Sequence, residues 1–296
     1  MIWTITPNPA WDITYDLRQP LQAGAVQRAL AVHARAGGKG NNVARTVVAL
    51  GGLPVVAVEP LGGVVGHAIE CSLENHGIRV MKEEVNEDNR VCTTFVYETE
   101  VTEVRAPGPR MTNEVLNTLI RRLMEQVRPE DWVVISGSTP PGLDPSIIGD
   151  WIRNLKPRVF GVVADVSPDA LGPAIDAGVT AVVPNEDEFE GIKELPRNVF
   201  KHTNLIVTRG GAGVTWLQTD GTTRDFPASS VKVVNPVGAG DAFLGGLVHA
   251  LARGLEWEYA ILWAIAVAGA STETIAVADL DPNRANDLWY DMTKQK

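Results

Sequence analysis

Cysteine is scarce in this chain: Cys71 and Cys92 are the only two in 296 residues, and they form neither a CxxC pair nor a disulfide framework. Their use predicts a reducing, cytoplasmic setting with both thiols as small core residues. Histidine is little used as well. His33, His67, His76, His202 and His249 show no HExxH or Cys/His zinc spacing, so a tightly held transition metal is not expected. Positive charge is in deficit: the formal net charge is -10, whereas a nucleic acid or an anionic membrane would demand a basic face. Neither partner is expected. Long hydrophobic runs are missing too. The most apolar late stretch, Ala260 to Ala270, is about 11 residues where a bilayer needs about 20, and it reads as a buried helix. No basic, apolar leader precedes the first strand-like residues, Ile2 to Thr6, so no secretion signal is expected. Three enzyme signatures are also lacking. There is no GxGxxG for a dinucleotide, no GxSxG elbow for a hydrolase, and Gly40 follows Lys39 where a Walker A loop needs Ser or Thr.

What is present is enough apolar material, 45% of the residues, to bury a large core, and residues 1–296 read as one domain. Short β-branched runs (Val55–Val58, Trp132–Ile135, Phe160–Val163, Ala181–Val183, Leu205–Val207) alternate with helical spacing at Asn42–Leu50, Asn113–Val127 and Asp241–Ala252. That order predicts an α/β fold, a buried and mainly parallel sheet with helices on both faces. One region departs from it. Val91 to Arg105 alternates with period two and turns near Glu98-Thr99-Glu100, which predicts an antiparallel hairpin. With Ile13–Tyr15 and Val26–His33 it makes a small sheet, discontinuous in sequence (about 12–16, 26–34 and 91–105), outside the main layer. An ordinary edge hairpin and a lid that keeps water from a reaction centre both suit this pattern.

The densest chemical signal is Asn235-Pro236-Val237-Gly238-Ala239-Gly240-Asp241, a glycine turn opening an apolar helix. Gly238 and Gly240 let successive N–H groups converge where the helix dipole is positive, a nest for a γ-phosphate. Asp241 stands where a carboxylate takes the proton of an attacking hydroxyl. A plain strand-to-helix turn capped by Asp is the competing reading. A second glycine turn, Gly37-Gly38-Lys39-Gly40-Asn41-Asn42, suits a polyhydroxyl or phosphate ligand: Asn42 offers a donor and an acceptor, Lys39 a point charge. Asp12 follows the first strand at the carboxyl edge of the sheet, where open α/β folds place ligands. Asn185 and Glu188, after another strand, suit a hydrated Mg²⁺ or simply cap a helix. The Thr208 to Gly213 run suits a nucleotide phosphate or a hairpin turn equally.

Taken in order, these stretches, together with Thr102 to Pro109 and Ser136-Gly137-Ser138-Thr139-Pro140-Pro141-Gly142, resemble the ribokinase-like sugar kinases of the PfkB family. Within that family they are most similar to the 1-phosphofructokinase and tagatose-6-phosphate kinase branch, from about Ile2 to Ala270. The resemblance implies a three-layer α/β/α fold with a β-sheet lid, ATP and Mg²⁺, a small-molecule sugar phosphate as acceptor, and a homodimer formed through the lid by residues such as Val91, Phe95 and Tyr97. It implies Asp241 as base, with Gly238, Ala239 and Gly240 as the anion hole. Asp12, Gly38 and Asn42 would hold sugar hydroxyls, and Arg28, Lys39, Arg90 and Ser138 the phosphate already on the acceptor. Asn185 and Glu188 would serve Mg²⁺, while Thr208, Gly210, Gly213 and Asn235 would line the ATP site. Fructose 1-phosphate is the first acceptor so implied. Tagatose 6-phosphate, an unphosphorylated sugar or nucleoside, and a non-catalytic sugar-phosphate sensor are the alternatives. Asn41 and Trp11 stand where that branch has aliphatic residues, and Arg105 where it has a smaller polar one.

Overall fold

The apolar runs become the middle strands of a nine-stranded sheet because each is buried on both faces, leaving backbone pairing as the way to satisfy its polar groups. The computed structural model describes residues 1–192 and 197–294. Its strands are β1 (Ile2–Ile5), β2 (Ala10–Asp16), β3 (Ala31–Gly37), β4 (Val55–Gly62), β5 (Arg79–Val85), β6 (Arg90–Tyr97) and β7 (Glu100–Arg105), then β8 (Trp132–Gly137), β9 (Gly161–Val166), β10 (Ala181–Val182), β11 (Asn204–Thr208), β12 (Val214–Leu217) and β13 (Thr223–Phe226). Its helices are α1 (Lys39–Leu50), α2 (Gly63–Asn75), α3 (Asn113–Met124), α4 (Ile147–Leu155), α5 (Pro168–Asp176), α6 (Glu186–Glu190), α7 (Ala239–Ala252), α8 (Trp257–Thr272) and α9 (Pro282–Lys294).

The main sheet runs β13-β12-β11-β10-β9-β8-β1-β4-β5, parallel from β11 through to β5, with β12 and β13 added antiparallel at one edge. Alternation along the strands feeds two cores. Val133 and Ile135 of β8 point into one with α3, α4 and α5; Trp132 and Val134 point into the other with α1, α2, α7 and α8. The fold is thus a three-layer α/β/α sandwich of the expected class. Every parallel strand aims its C-terminal end at one edge, and that edge gathers Thr6, Gly137, Asp165 and Asn185.

A separate four-stranded sheet, β3-β2-β6-β7, rises from the same edge. Helix α2 carries it: Ser72 Oγ accepts from the Ala36 amide of β3 at 3.0 Å. The expected strand at Val26–His33 is displaced, beginning at Ala31, since residues 17–30, with Pro20 and Gly24, run as a loop closed by the Leu30 amide on Asp16 O at 2.7 Å. The hairpin over 91–105 forms as expected, with Glu98 in the left-handed region at φ 51°. Among the described residues no helix is long and apolar enough to cross a membrane.

Candidate active site

Gly238 caps α7 in the left-handed conformation, φ 82°, and a Cβ there would lie 2.7 Å from Val277 Cγ1 and 2.9 Å from the Ala278 nitrogen. Only glycine makes this turn. The Ala239 amide is used within the turn, on Pro236 O at 3.2 Å. The amides of Gly238, Gly240 and Asp241 meet no acceptor among the described residues, and the space beside Gly240 is open. These unspent donors at the positive end of a 14-residue helix form an anion cradle. Asn235 shapes it from behind. Its Oδ1 accepts from the Val237 amide at 3.0 Å and its Nδ2 donates to Ile275 O at 2.7 Å, so its side chain braces the turn.

Asp241 sits in the first turn of α7, only 7% exposed. Burial pushes its carboxyl up to about 7; Lys39 and the Asn42 hydrogen bond hold it lower, Asp165 and Asp12 higher. Asn42 Nδ2 donates to its Oδ2 at 2.6 Å. A carboxylate tuned near neutrality suits a general base. Lys39 turns inward with it, Nζ lying 2.8 Å from Asp165 Oδ1 and 3.6 Å from Glu188 Oε1. Burial opposes the ammonium charge, but Asp165, Asp241 and Glu188 together hold its pKa above the ordinary lysine value. Lys39 therefore stands among the carboxylates of Asp165, Glu188 and Asp241.

Across the cleft, Asp12 of β2 packs on Gly37, where any Cβ would run into its carboxyl group. Burial raises its pKa, with Arg45 and Arg90 opposing. Gly38, at φ 91°, caps α1 beneath it. Arg90 opens β6 and donates to Asn8 O at 2.9 Å and Ala106 O at 3.1 Å, tying the small sheet to the main one. Asn8 Nδ2 reaches Pro107 O at 2.9 Å and Ser138 Oγ at 3.4 Å. Two buried polar atoms stay unpartnered here, Arg90 Nε and Asn8 Oδ1. Arg28 is apart from this group, exposed on the β2–β3 loop with no hydrogen bond or ion pair to a described residue.

Asn185 and Glu188 form a capping box at α6, each side chain bonded to the other's backbone amide at 2.8 and 2.9 Å. Glu188 Oε1 nevertheless faces Lys39. Among the described residues no group of three or more His, Cys, Asp or Glu could hold a metal, so a cage of protein ligands is not built. Asp165 and Glu188 fit a hydrated Mg²⁺ instead, an ion that keeps waters and takes one or two carboxylates plus substrate phosphates. Thr208 ends β11 beside Asn185, bridged to it through the backbone. Gly210 and Gly213 belong to the β11–β12 hairpin turn, closed by the Arg209 amide on Gly213 O at 2.8 Å.

Sequence reading missed Asp165, Arg45 and Asn8. The signal for the first two was a charge inside an otherwise buried element: Asp165 near the end of β9 and Arg45 on the buried side of α1.

An open, mainly parallel sheet that sets a buried carboxylate against a helix N-terminus, under a second sheet, is the layout of the ribokinase-like fold. The chain belongs to the pfkB family of carbohydrate kinases, whose model matches residues 6–284. It is 28% identical over 297 residues to the 1-phosphofructokinase of Haemophilus influenzae, covering 94% of this chain and 93% of that protein. It is 30% identical over 266 residues to the tagatose-6-phosphate kinase of Staphylococcus epidermidis, covering 85% of each. Among solved structures, phosphofructokinase-2 from Escherichia coli in complex with substrates and products superposes with a TM-score of 0.88 at 23% identity, covering 99% of both chains. Ribokinase from Thermotoga maritima gives 0.73 at 19%, covering 98% of this chain and 99% of that one. At these identities the structural likeness is one of fold. The chain is accordingly an ATP-dependent sugar kinase, an enzyme that moves a phosphoryl group from ATP to a hydroxyl group of a sugar.

Proposed function

We propose that the acceptor is a ketohexose phosphate, fructose 1-phosphate foremost, converted to fructose 1,6-bisphosphate by direct in-line transfer. The observation that carries the chemistry is the buried Asp241 carboxylate, fixed by Asn42 beside the unspent amides of α7. Asp241 takes the hydroxyl proton as the oxygen attacks the γ-phosphorus, and the bond to ADP breaks. The amides of Gly240 and Asp241, with Lys39, meet the charge on the transferring group. Asp165 and Glu188 would hold a hydrated Mg²⁺, which would add positive charge against the ATP phosphates. Thr208, Gly210, Gly213 and Asn235 belong to the nucleotide side. Gly238 and Ala239 shape the cradle, and Asp12, Gly38 and Asn42 hold the sugar.

The phosphorylated acceptor is supported by cation placement. In register across the small sheet lie Arg35, Asp12, Cys92 and Arg105, two guanidiniums on the same surface as Asp12. Arg90, with its unpartnered Nε, and Ser138 lie at its base, while Arg28 is exposed on the β2–β3 loop. An unphosphorylated sugar has no use for these charges. Tagatose 6-phosphate is the second reading, favoured by the similarity to the Staphylococcus epidermidis tagatose-6-phosphate kinase. Two free thiols suit a reducing cytoplasm. The small sheet acts as a lid, and its outer face pairs two chains.

The test is ADP release with MgATP across fructose 1-phosphate, fructose 6-phosphate, tagatose 6-phosphate, free hexoses and nucleosides, with Asp241→Asn as the blank. Turnover confined to a ketohexose phosphate is expected, and Arg90→Ala should raise its KM about 10- to 100-fold, the worth of one or two charged hydrogen bonds. Activity with unphosphorylated acceptors alone overturns the acceptor assignment.

A further inference from the structure

Arg45 is buried at 5% exposure with no carboxylate directly paired to it among the described residues, although several lie nearby. Burial, and then the neighbouring Arg35, push its pKa down to about 10. A fully desolvated guanidinium is costly, and an apolar residue of similar volume often serves stability better. Its hydrogen bonds say what it does instead. One nitrogen donates to Ala36 O, on the small-sheet strand β3. The other donates to Val277 O at 3.1 Å, on the segment that packs on Gly238, and to Asn42 Oδ1 at 2.8 Å.

The last contact decides the orientation of Asn42. A guanidinium is a donor only, so the amide oxygen must face Arg45, which leaves Nδ2 for Asp241 Oδ2 at 2.6 Å. Asp241 Oδ1 then has no hydrogen-bond partner among the described residues and is left for the acceptor hydroxyl. We propose that Arg45 is a positioning residue for phosphoryl transfer: its planar fork holds Asn42 in the one amide orientation that presents the Asp241 carboxylate, and pins the anion-hole roof and the small sheet to the same helix. A lysine has no fork and cannot hold three acceptors in a plane. The inference rests on the kinase reading above for its activity readout alone.

The charged groups around Asp241 are Lys39 and Arg45 of α1, Asp165 of β9, Asp12 of β2 and Arg105 of β7. Loss of the Arg45 charge leaves the carboxyl easier to protonate, so its titration moves to higher pH. The experiment compares wild type, Arg45→Lys, Arg45→Met, Asn42→Ala and the Asn42→Ala/Arg45→Lys double variant. It measures kcat and KM with MgATP and the best acceptor from pH 5.5 to 9, thermal midpoints, and the carboxyl ¹³C titration of Asp241, assigned with Asp241→Asn. Arg45→Lys should lose about 10- to 100-fold in kcat with both KM values within about threefold, and the double variant should lose no more than Asn42→Ala alone. In Arg45→Met the ¹³C titration and the acidic limb of the rate profile should both move up. Additive losses, a lowered midpoint at unchanged kcat, or an unmoved titration would overturn the proposal. If Arg45→Met does not fold, the lysine cycle decides alone. If wild type phosphorylates nothing in the panel, the kinase reading fails, while the titration still reports on the Arg45–Asn42–Asp241 link.

Discussion

A carboxylate placed to take a proton has also been taken out of water, and at Asp241 the two facts pull in opposite directions. Its proton affinity in the fold is raised from 3.8 to about 7, so its neutral form is the comfortable one. The stability that this group contributes is fully present below pH 3.8 and is lost as pH rises through about 7. Catalysis needs the opposite form, and the acidic limb of kcat/KM should have an apparent pKa near 7. Asp241→Asn should therefore lower kcat about 100- to 10,000-fold with the acceptor KM little changed. The same variant should be more stable than wild type at pH 8, by on the order of 1–3 kcal/mol, with the gap closing below about pH 4. A calorimetric series over pH 3–9 checks it, and a variant less stable at pH 8 refutes the account. At this scale Asp241, Asn42, Asp12 and the Gly238 turn were legible because glycine, a carboxylate and an amide at a strand-to-helix junction have few other reasons to coincide. Asp165, Asn8 and Arg45 were not legible. Each acts through partners more than 30 residues away except the Asp165–Ser136, Arg45–Asn42 and Arg45–Ala36 contacts, and sequence spacing carries no trace of such pairs.

Elements resolve what residues leave open. The Asn185–Glu188 spacing suited Mg²⁺ or a cap, and in α6 it is a complete capping box whose outer oxygen still faces Lys39. The Thr208–Gly213 run suited a phosphate or a hairpin, and it forms the turn between β11 and β12, a geometry compatible with both. Strands β5, β12 and β13 were not read at all. Their solvent-side residues (Arg79, Glu84, Thr223, Arg224 and Asp225) break the apolar runs by which the central strands announce themselves. The junction of β4 and α1 carries a departure with a measurable signature. Asn41 Nδ2 donates to Gly37 O at 3.0 Å and to Glu59 Oε2 at 2.7 Å, and Glu59 is wholly buried. Burial, against the Asn41 hydrogen bond, pushes the Glu59 carboxyl up to about 8, so its contribution to stability declines as pH rises from 4.5 through 8. Glu59→Gln keeps an acceptor for Asn41 and abolishes the ionisation. Its thermal midpoint should exceed that of wild type at pH 9 and match it below pH 4.5, whereas parallel curves across that window would mean that Glu59 stays neutral or stays charged throughout.

At the scale of the whole molecule, the small sheet presents an apolar face that stays exposed among the described residues. The small sheet buries Thr14, Cys92, Thr94 and Val96 on the side of Asp12, while register places Val32, Tyr15, Phe95 and Thr102 in one row of the opposite face and Ala34, Ile13, Thr93 and Val104 in the next. Tyr15 and Phe95 stack there at 5.5 Å, and Val32 and Val104 remain 53% and 59% exposed. Beside them the β2–β3 loop holds Val26 out at 96% exposure. So much apolar surface is costly to leave in water, and another surface of like chemistry would cover it. β3 and β7 are the outer strands of this sheet, and a second copy related by a two-fold axis would meet its apolar face with the same residues. Light scattering should give twice the 31.9 kDa chain mass for wild type. Val32→Asp combined with Val104→Asp places four carboxylates in the two-fold contact and should return the mass to that of one chain. Since Asp12 and Arg105 project from the other side of the same strands, separation should also raise the acceptor KM while the ATP KM holds. A monomeric wild type, or a variant that keeps the doubled mass, would mean that this face is left to solvent and that the lid closes without a partner.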